Sequence, residues 1–231
     1  MQFDFVHIWS EMSGLSKGIA ICLLFMAIAS IGVIVERLIS FAKAGSASKS
    51  FAVAARPLLE KWEIERIVEV AQKHKASPLA SLFERMTLKY MDGIAKPGNM
   101  TAVELARNES FRRQEAISAE LRRGMSVLAS VGSVAPFVGL LGTVVGIIAA
   151  FAGIGAAGSA GMGAVMSGIS EALFETAFGL MVAIPAVLFY NYLSARVANI
   201  ELALARSVGE LLDEMENNHG RESKKHIEKA A

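Results

Sequence analysis

Glu171 and Glu175 stand four residues apart in a stretch that otherwise has no charge. On a helix, positions i and i+4 share a face, so the two carboxylates would sit side by side. Two hydroxyls accompany them: Thr176, next to Glu175, and Thr143, in the preceding apolar stretch. A carboxylate takes up and releases a proton. A hydroxyl both donates and accepts, so it can hold water or pass a proton on. Neighbouring acids in a low-dielectric site repel each other, a property that a proton-handling site needs. These residue types point to moving a proton rather than to making or breaking covalent bonds.

The elements that must position them follow from the distribution of charge. Of 231 residues, 53% are hydrophobic and only 19% charged, against roughly 25% in ordinary soluble domains. Disorder, which needs few apolar residues and high net charge, is excluded. A plain soluble enzyme is disfavoured. The net charge of +1 leaves no global basic surface for nucleic acid. No Asp, Glu, Lys or Arg occurs between Lys17 and Glu36, between Arg123 and Glu171, or between Glu175 and Arg196. Each gap reaches the roughly 18 residues that make a membrane-spanning helix plausible. Three transmembrane helices are expected, over roughly 18–36, 130–152 and 170–193. The Gly- and Ala-rich remainder, 153–169, reads as an uncharged loop. The expected fold class is therefore all-α: a polytopic membrane protein with three transmembrane helices and helical cytoplasmic extensions.

Ala27-Ile28-Ala29 resembles a small-residue cleavage site. The apolar run continues past it, however, and the preceding segment holds Asp4 and Glu11 with a single Lys17. An uncleaved anchor is the expectation, because a signal peptide has a basic start and a shorter core. Cys22 is the single cysteine, which excludes an internal disulfide. Lys and Arg gather in 36–123 and again after Arg196, whereas 153–168 has none. The positive-inside rule then puts residues 1–17 outside (periplasmic), the segment 37–129 in the cytoplasm, the loop 153–169 outside, and 194–231 in the cytoplasm as a C-terminal helix and tail.

Within 37–129, Leu58, Leu59, Trp62, Ile67, Val68 and Val70 recur among charges in a helical rather than alternating pattern. Ser77-Pro78 and Lys96-Pro97-Gly98-Asn99 punctuate it. Thr101-Ala102-Val103-Glu104 reads as a capping box. From there a long helix is expected to run into the second span, relieved at Gly124 or Gly132. Residues after Asn217 read as a frayed tail.

No phosphate-binding Gly-rich loop with Lys is present, and His7, His74, His219 and His226 are scattered without paired cysteines. No cofactor, metal site or enzymatic chemistry is expected. The energy for any work would have to come from an ion gradient.

Small residues form stripes in the later spans. Gly139, Gly142 and Gly146 repeat at helical spacing, as do Gly168, Ala172, Thr176, Gly179 and Ala183. Such stripes let helix backbones approach closely in lipid. They fit an oligomeric assembly and a bundle within one chain equally well. Pro136 and Pro185 each remove a hydrogen bond inside a span, so kinks are expected there. The depth of the two acids stays open. Glu171 lies 25 residues before Arg196, about 37 Å of helix, which is longer than the roughly 30 Å hydrocarbon core. Tyr190 and Tyr192, read as the inner aromatic belt, would instead draw both acids inward.

The run from Ala135 to Ile147, Ala-Pro-Phe-Val-Gly-Leu-Leu-Gly-Thr-Val-Val-Gly-Ile, resembles the second span of the MotA/TolQ/ExbB proton-channel family. The run from Gly168 to Leu180, continued by Ala183-Ile184-Pro185-Ala186 and Tyr190-Asn191, resembles its third. The match covers about 126–200, and three spans favour the ExbB/TolQ branch over the stator branch with four. The resemblance implies a proton-driven inner-membrane motor subunit. Five such chains would surround an ExbD/TolR-like single-span partner that carries a membrane Asp. A TonB/TolA-like transducer would deliver the motion to the outer envelope. The resemblance also implies that Glu171 matches the pore glutamate, and Thr143 and Thr176 the pore hydroxyls. Glu175 departs from the family pattern, where a small residue is usual. It is left to the pore wall or to an interface with a partner or lipid. The rival expectation is a helical membrane scaffold that assembles partners without conducting ions.

Overall fold

The computed structural model describes residues 12–96, 98–157 and 162–230. The expected outer N-terminus up to Glu11, Pro97 and the stretch 158–161 of the Gly-rich loop lie outside the described residues. Six helices follow one another: α1 Gly14–Glu60, α2 Ile64–Lys73, α3 Pro78–Ala95, α4 Ala102–Leu121, α5 Met125–Ala157 and α6 Met162–Ala230. No strand occurs among the described residues. Three of the helices, α1, α5 and α6, are long and apolar enough to cross a membrane. The chain is thus an all-α, multi-pass membrane protein with helical extensions. At 1.5 Å per residue, the 47 residues of α1 run about 70 Å and the 69 of α6 about 100 Å. Both exceed a hydrocarbon core of roughly 30 Å, so each helix must continue beyond the lipid.

The chain divides into two compact units. The first comprises Met1–Glu36 with Gly124–Leu193, and the second Arg37–Arg123 with Ser194–Ala231. In the first unit, residues 14–36 of α1 pack with α5 and α6 around Ile19, Leu23, Val131, Ala135, Val182, Ala183 and Ala186. Its outer faces stay apolar: Phe25, Phe137 and Met181 are each about 70% exposed. In water so wide an apolar surface would be a liability, whereas against lipid it is the stable arrangement.

The second unit has an aqueous-type core. Ile67, Leu82, Phe83, Met86 and Tyr90 are buried together with Phe51. Phe51 meets Phe83 edge-on with ring centroids 5.5 Å apart, and Tyr90 meets Trp62 at 5.9 Å. α1 ends here in a Schellman arrangement: the Glu63 amide donates to Leu58 O (2.9 Å) and the Trp62 amide to Leu59 O (3.0 Å). Trp62 takes the left-handed φ of 55°, where glycine is usual, and its ring is engaged with Tyr90. α3 starts at Pro78 behind a Ser77 cap, and it packs on α4. Gly93 permits that contact, since a Cβ there would lie 2.8 Å from the Ala102 backbone.

The expected capping box forms as read: the Thr101 amide donates to Glu104 Oε2 (2.8 Å), and the Glu104 amide donates to Thr101 Oγ1 (3.2 Å). One local expectation is met and two are corrected. The helix that starts at Ala102 is relieved at Gly124 before the second span. It stops at Leu121, and Gly124 turns the chain at φ +77° before α5 begins, a conformation that favours glycine. Gly132, the other candidate for relief, lies inside α5. Residues 153–157 and 162–169, expected as loop, are helical, since α5 extends through Ala157 and α6 starts at Met162. Beyond Asn217, α6 continues to Ala230 rather than fraying. Pro136 and Pro185 each stand inside an unbroken helix.

Candidate functional site: the seam between the second and third spans

The two stripes of small residues meet each other within one chain. Gly146 faces Ala172, where an added Cβ would lie 3.0 Å from the Ala172 methyl. Gly168 faces Ala150 at 2.6 Å. Further along, a Cβ on Gly139 would come within 2.9 Å of Glu175 O and 3.2 Å of the Gly179 Cα. One on Gly179 would come within 2.7 Å of Ala135 O. Gly132 continues the seam against Val187. The pattern is antiparallel: residue numbers rise along α5 as they fall along α6. Backbones this close gain dispersion contacts along their whole length, the source of helix association where lipid removes the hydrophobic drive. Ala172, Gly179 and Ala183 are all buried on this face of α6. The stripes are therefore accounted for by packing inside the chain.

The polar residues expected from the sequence lie on or beside this seam. Thr176 Oγ1 donates across it to Gly139 O at 3.2 Å. Thr143 Oγ1 donates to Leu140 O of its own helix at 2.6 Å. Both threonines are partly exposed at the surface of the unit. Glu171 is partly exposed too, yet its Oε1 is buried and meets no hydrogen-bond donor among the described residues. α5 and residues 176–195 of α6 contain no Asp, Glu, Lys or Arg, so no cation on these helices neutralises either acid.

Glu175, left by the sequence to the pore wall or an interface, is 1% exposed within the chain and turned inward, with its carboxylate over Gly142. Neither oxygen has a hydrogen-bond partner among the described residues. Gly142 leaves the space for it, since any Cβ at that position would collide with Glu175 Oε2. On α1, the buried Ser16 faces the carboxylate without a hydrogen bond to either oxygen. Ser16 Oγ also accepts from Ser13 Oγ at 3.1 Å. Sequence reading missed Ser16, because nothing local to α1 says that it meets an acid some 160 residues away. It also missed Arg37, which is buried in the second unit and donates to Glu120 O at 3.0 Å. No group of His, Cys, Asp and Glu suited to a metal occurs among the described residues.

The profile of the MotA/TolQ/ExbB proton channel family matches residues 76–206, which hold all of α5 and the membrane part of α6. Biopolymer transport protein ExbB of Neisseria meningitidis is 36% identical over 182 residues, covering 77% of this chain and 81% of that protein. Biopolymer transport protein ExbB of Xanthomonas campestris pv. campestris is 33% identical over 144 residues, and the match spans only 57% of its length. Tol-Pal system protein TolQ of Haemophilus influenzae is 43% identical over 117 residues, 46% of that protein.

Proposed function

Because this chain belongs to the MotA/TolQ/ExbB proton channel family, in its ExbB/TolQ branch, we propose that it is the channel-forming subunit of an inner-membrane motor that converts the proton-motive force into work on the outer envelope. The chain is the multi-pass component. Several copies, five by family likeness, would enclose an ExbD/TolR-like single-span partner, whose membrane Asp takes up and releases the proton. A TonB/TolA-like transducer would carry the motion outward. The N-terminus and the Gly-rich stretch 153–169 would be periplasmic. The basic segment 37–129 and the end of the chain from 194 would be cytoplasmic, in keeping with the positive-inside rule. The subunit itself would be no enzyme.

One observation carries the reading. α5 and α6 are packed glycine against backbone, and this pair presents Thr143, Thr176 and Glu171 partly exposed, with no Lys or Arg on α5 or in residues 162–195 of α6. An acid in such a place is costly unless it faces water, a partner or a proton path. Partly exposed hydroxyls beside it supply groups that both donate and accept. Glu171 would set the charge of the pore, and Thr143 and Thr176 would hold the water that carries the proton to the partner's Asp.

The native mass of the detergent-extracted complex, taken with and without the single-span partner, tests the assembly. A ring of this chain that gains a small number of partner copies is the expected result. A single chain, or an assembly whose mass ignores the partner, would instead favour the non-conducting scaffold.

A further inference from the structure

The proposed pathway uses Glu171 and leaves the second acid of α6 unexplained. Glu175 is the more deeply buried of the two: its side chain lies between α5, α6 and α1, and both oxygens lack a hydrogen-bond donor. The site is shaped for it. Gly142 supplies the volume that the carboxyl group fills, and a side chain of any size at 142 would remove it. We propose that Glu175 is a second proton-binding site, held as the neutral carboxyl inside the membrane unit of each subunit.

The groups around it decide the chemistry. From α5 there is no titratable or charged residue at all. From α6 the one neighbouring acid is Glu171, a turn earlier, whose own buried oxygen also lacks a donor. From α1 the facing group is the Ser16 hydroxyl, already accepting from Ser13; Lys17 follows it in the chain, half-exposed and making no ion pair with Glu175. An anion here would be desolvated, with no paired cation and no set of donors to replace water among the described residues, a costly arrangement. A bound proton removes that cost. It converts the carboxylate to a carboxyl with an O–H to donate, and the hydroxyl that faces it is Ser16 Oγ. Binding is proton addition alone: one O–H bond forms and the negative charge disappears. A monovalent cation on the same oxygens is the rival occupant.

The inference rests on the geometry of the first unit and is independent of the transport reading, so its test uses no transport readout. The experiment is infrared spectroscopy of the purified full-length complex, following the C=O stretch of a protonated carboxyl. The Glu171→Gln chain leaves Glu175 as the only acid between Arg123 and Arg196, so its band is the difference between this chain and the Glu171→Gln/Glu175→Gln double variant. At pH 7 the Glu171→Gln complex should show protonated-carboxyl intensity that the double variant lacks. It should not change when sodium replaces choline in the buffer. Glu175→Gln, which copies the shape of the neutral acid, should keep the wild-type Tm. Two results would overturn the proposal. One is Glu171→Gln without the band at pH 7, which makes Glu175 an anion. The other is a band that sodium converts to carboxylate, which makes the site a cation site.

Discussion

Gly142 on α5 stands where a larger residue would strike the Glu175 carboxylate on α6. A glycine in one span and an acid in the next thus form a fitted pair, and neither position explains itself alone. Gly142→Ala should therefore destabilise the membrane unit by about 1–3 kcal/mol, the usual range for overpacking. In the Glu175→Ala background the loss should shrink without vanishing, because the Cβ of residue 175 lies 2.8 Å from the added methyl. Thermal unfolding in detergent of the four chains of this cycle measures the coupling. Gly32→Ala is the control: nothing lies within 4 Å of its would-be Cβ, so no loss is expected.

Gly179→Ala differs in kind. Its methyl would meet Ala135 O at 2.7 Å and the Gly139 Cα at 3.0 Å, both backbone atoms that cannot rotate aside. The seam must open along its length. The expected loss exceeds that of Gly142→Ala, and truncating neighbouring side chains should not restore it. Tm values of Gly179→Ala alone and combined with Glu175→Ala check this, the two falling together if backbone is the obstacle.

In the second unit, Glu201 receives Ser118 Oγ at 2.5 Å and Arg122 Nη2 at 3.0 Å. Burial pushes the Glu201 carboxyl up, but the Ser118 and Arg122 contacts outweigh it and hold the group below its usual range. A group lowered in the folded state stabilises above its unfolded value, and the gain is lost as pH falls through the folded one. Glu201→Gln should cost roughly 0.2–1 kcal/mol at pH 7, as expected for a half-exposed ion pair. The difference from wild type should close on acidification below the ordinary carboxylate range. Denaturant unfolding at a series of pH values reads both.

Thr101 and Glu104 satisfy each other's backbone amides at the start of α4. Thr101→Ala should cost roughly 0.5–2 kcal/mol, and Thr101→Ser much less, since it keeps the hydroxyl. Faster amide exchange in the first turn of α4, confined to the Ala variant, is the local signature.

What could be read from the sequence was what depends on near neighbours. The Thr101–Glu104 box needs only three residues of spacing, and Gly124 was one of two places named where the chain would turn. The spans were legible because gaps in charge need no partner to interpret. The stripes were legible as stripes, but not that they face each other, since Gly146 and Ala172 are brought together only by the antiparallel return of the chain. The inward turn of Glu175 was hidden for the same reason: it depends on Gly142 and Ser16, both distant in sequence. Residues 153–157 and 162–169 misled because the glycines read as a loop, while the alanines among them are the best helix formers.

The central claim is that Glu171, with Thr143 and Thr176, serves a proton path. The most direct measurement is proton uptake by liposomes holding the purified complex with its single-span partner, under an imposed gradient, for wild type against Glu171→Ala, with native mass confirming equal assembly. The account predicts gradient-driven uptake by wild type and a fall of at least about tenfold in Glu171→Ala, more than 1.4 kcal/mol on the barrier. Equal uptake by the two assembled complexes would contradict it.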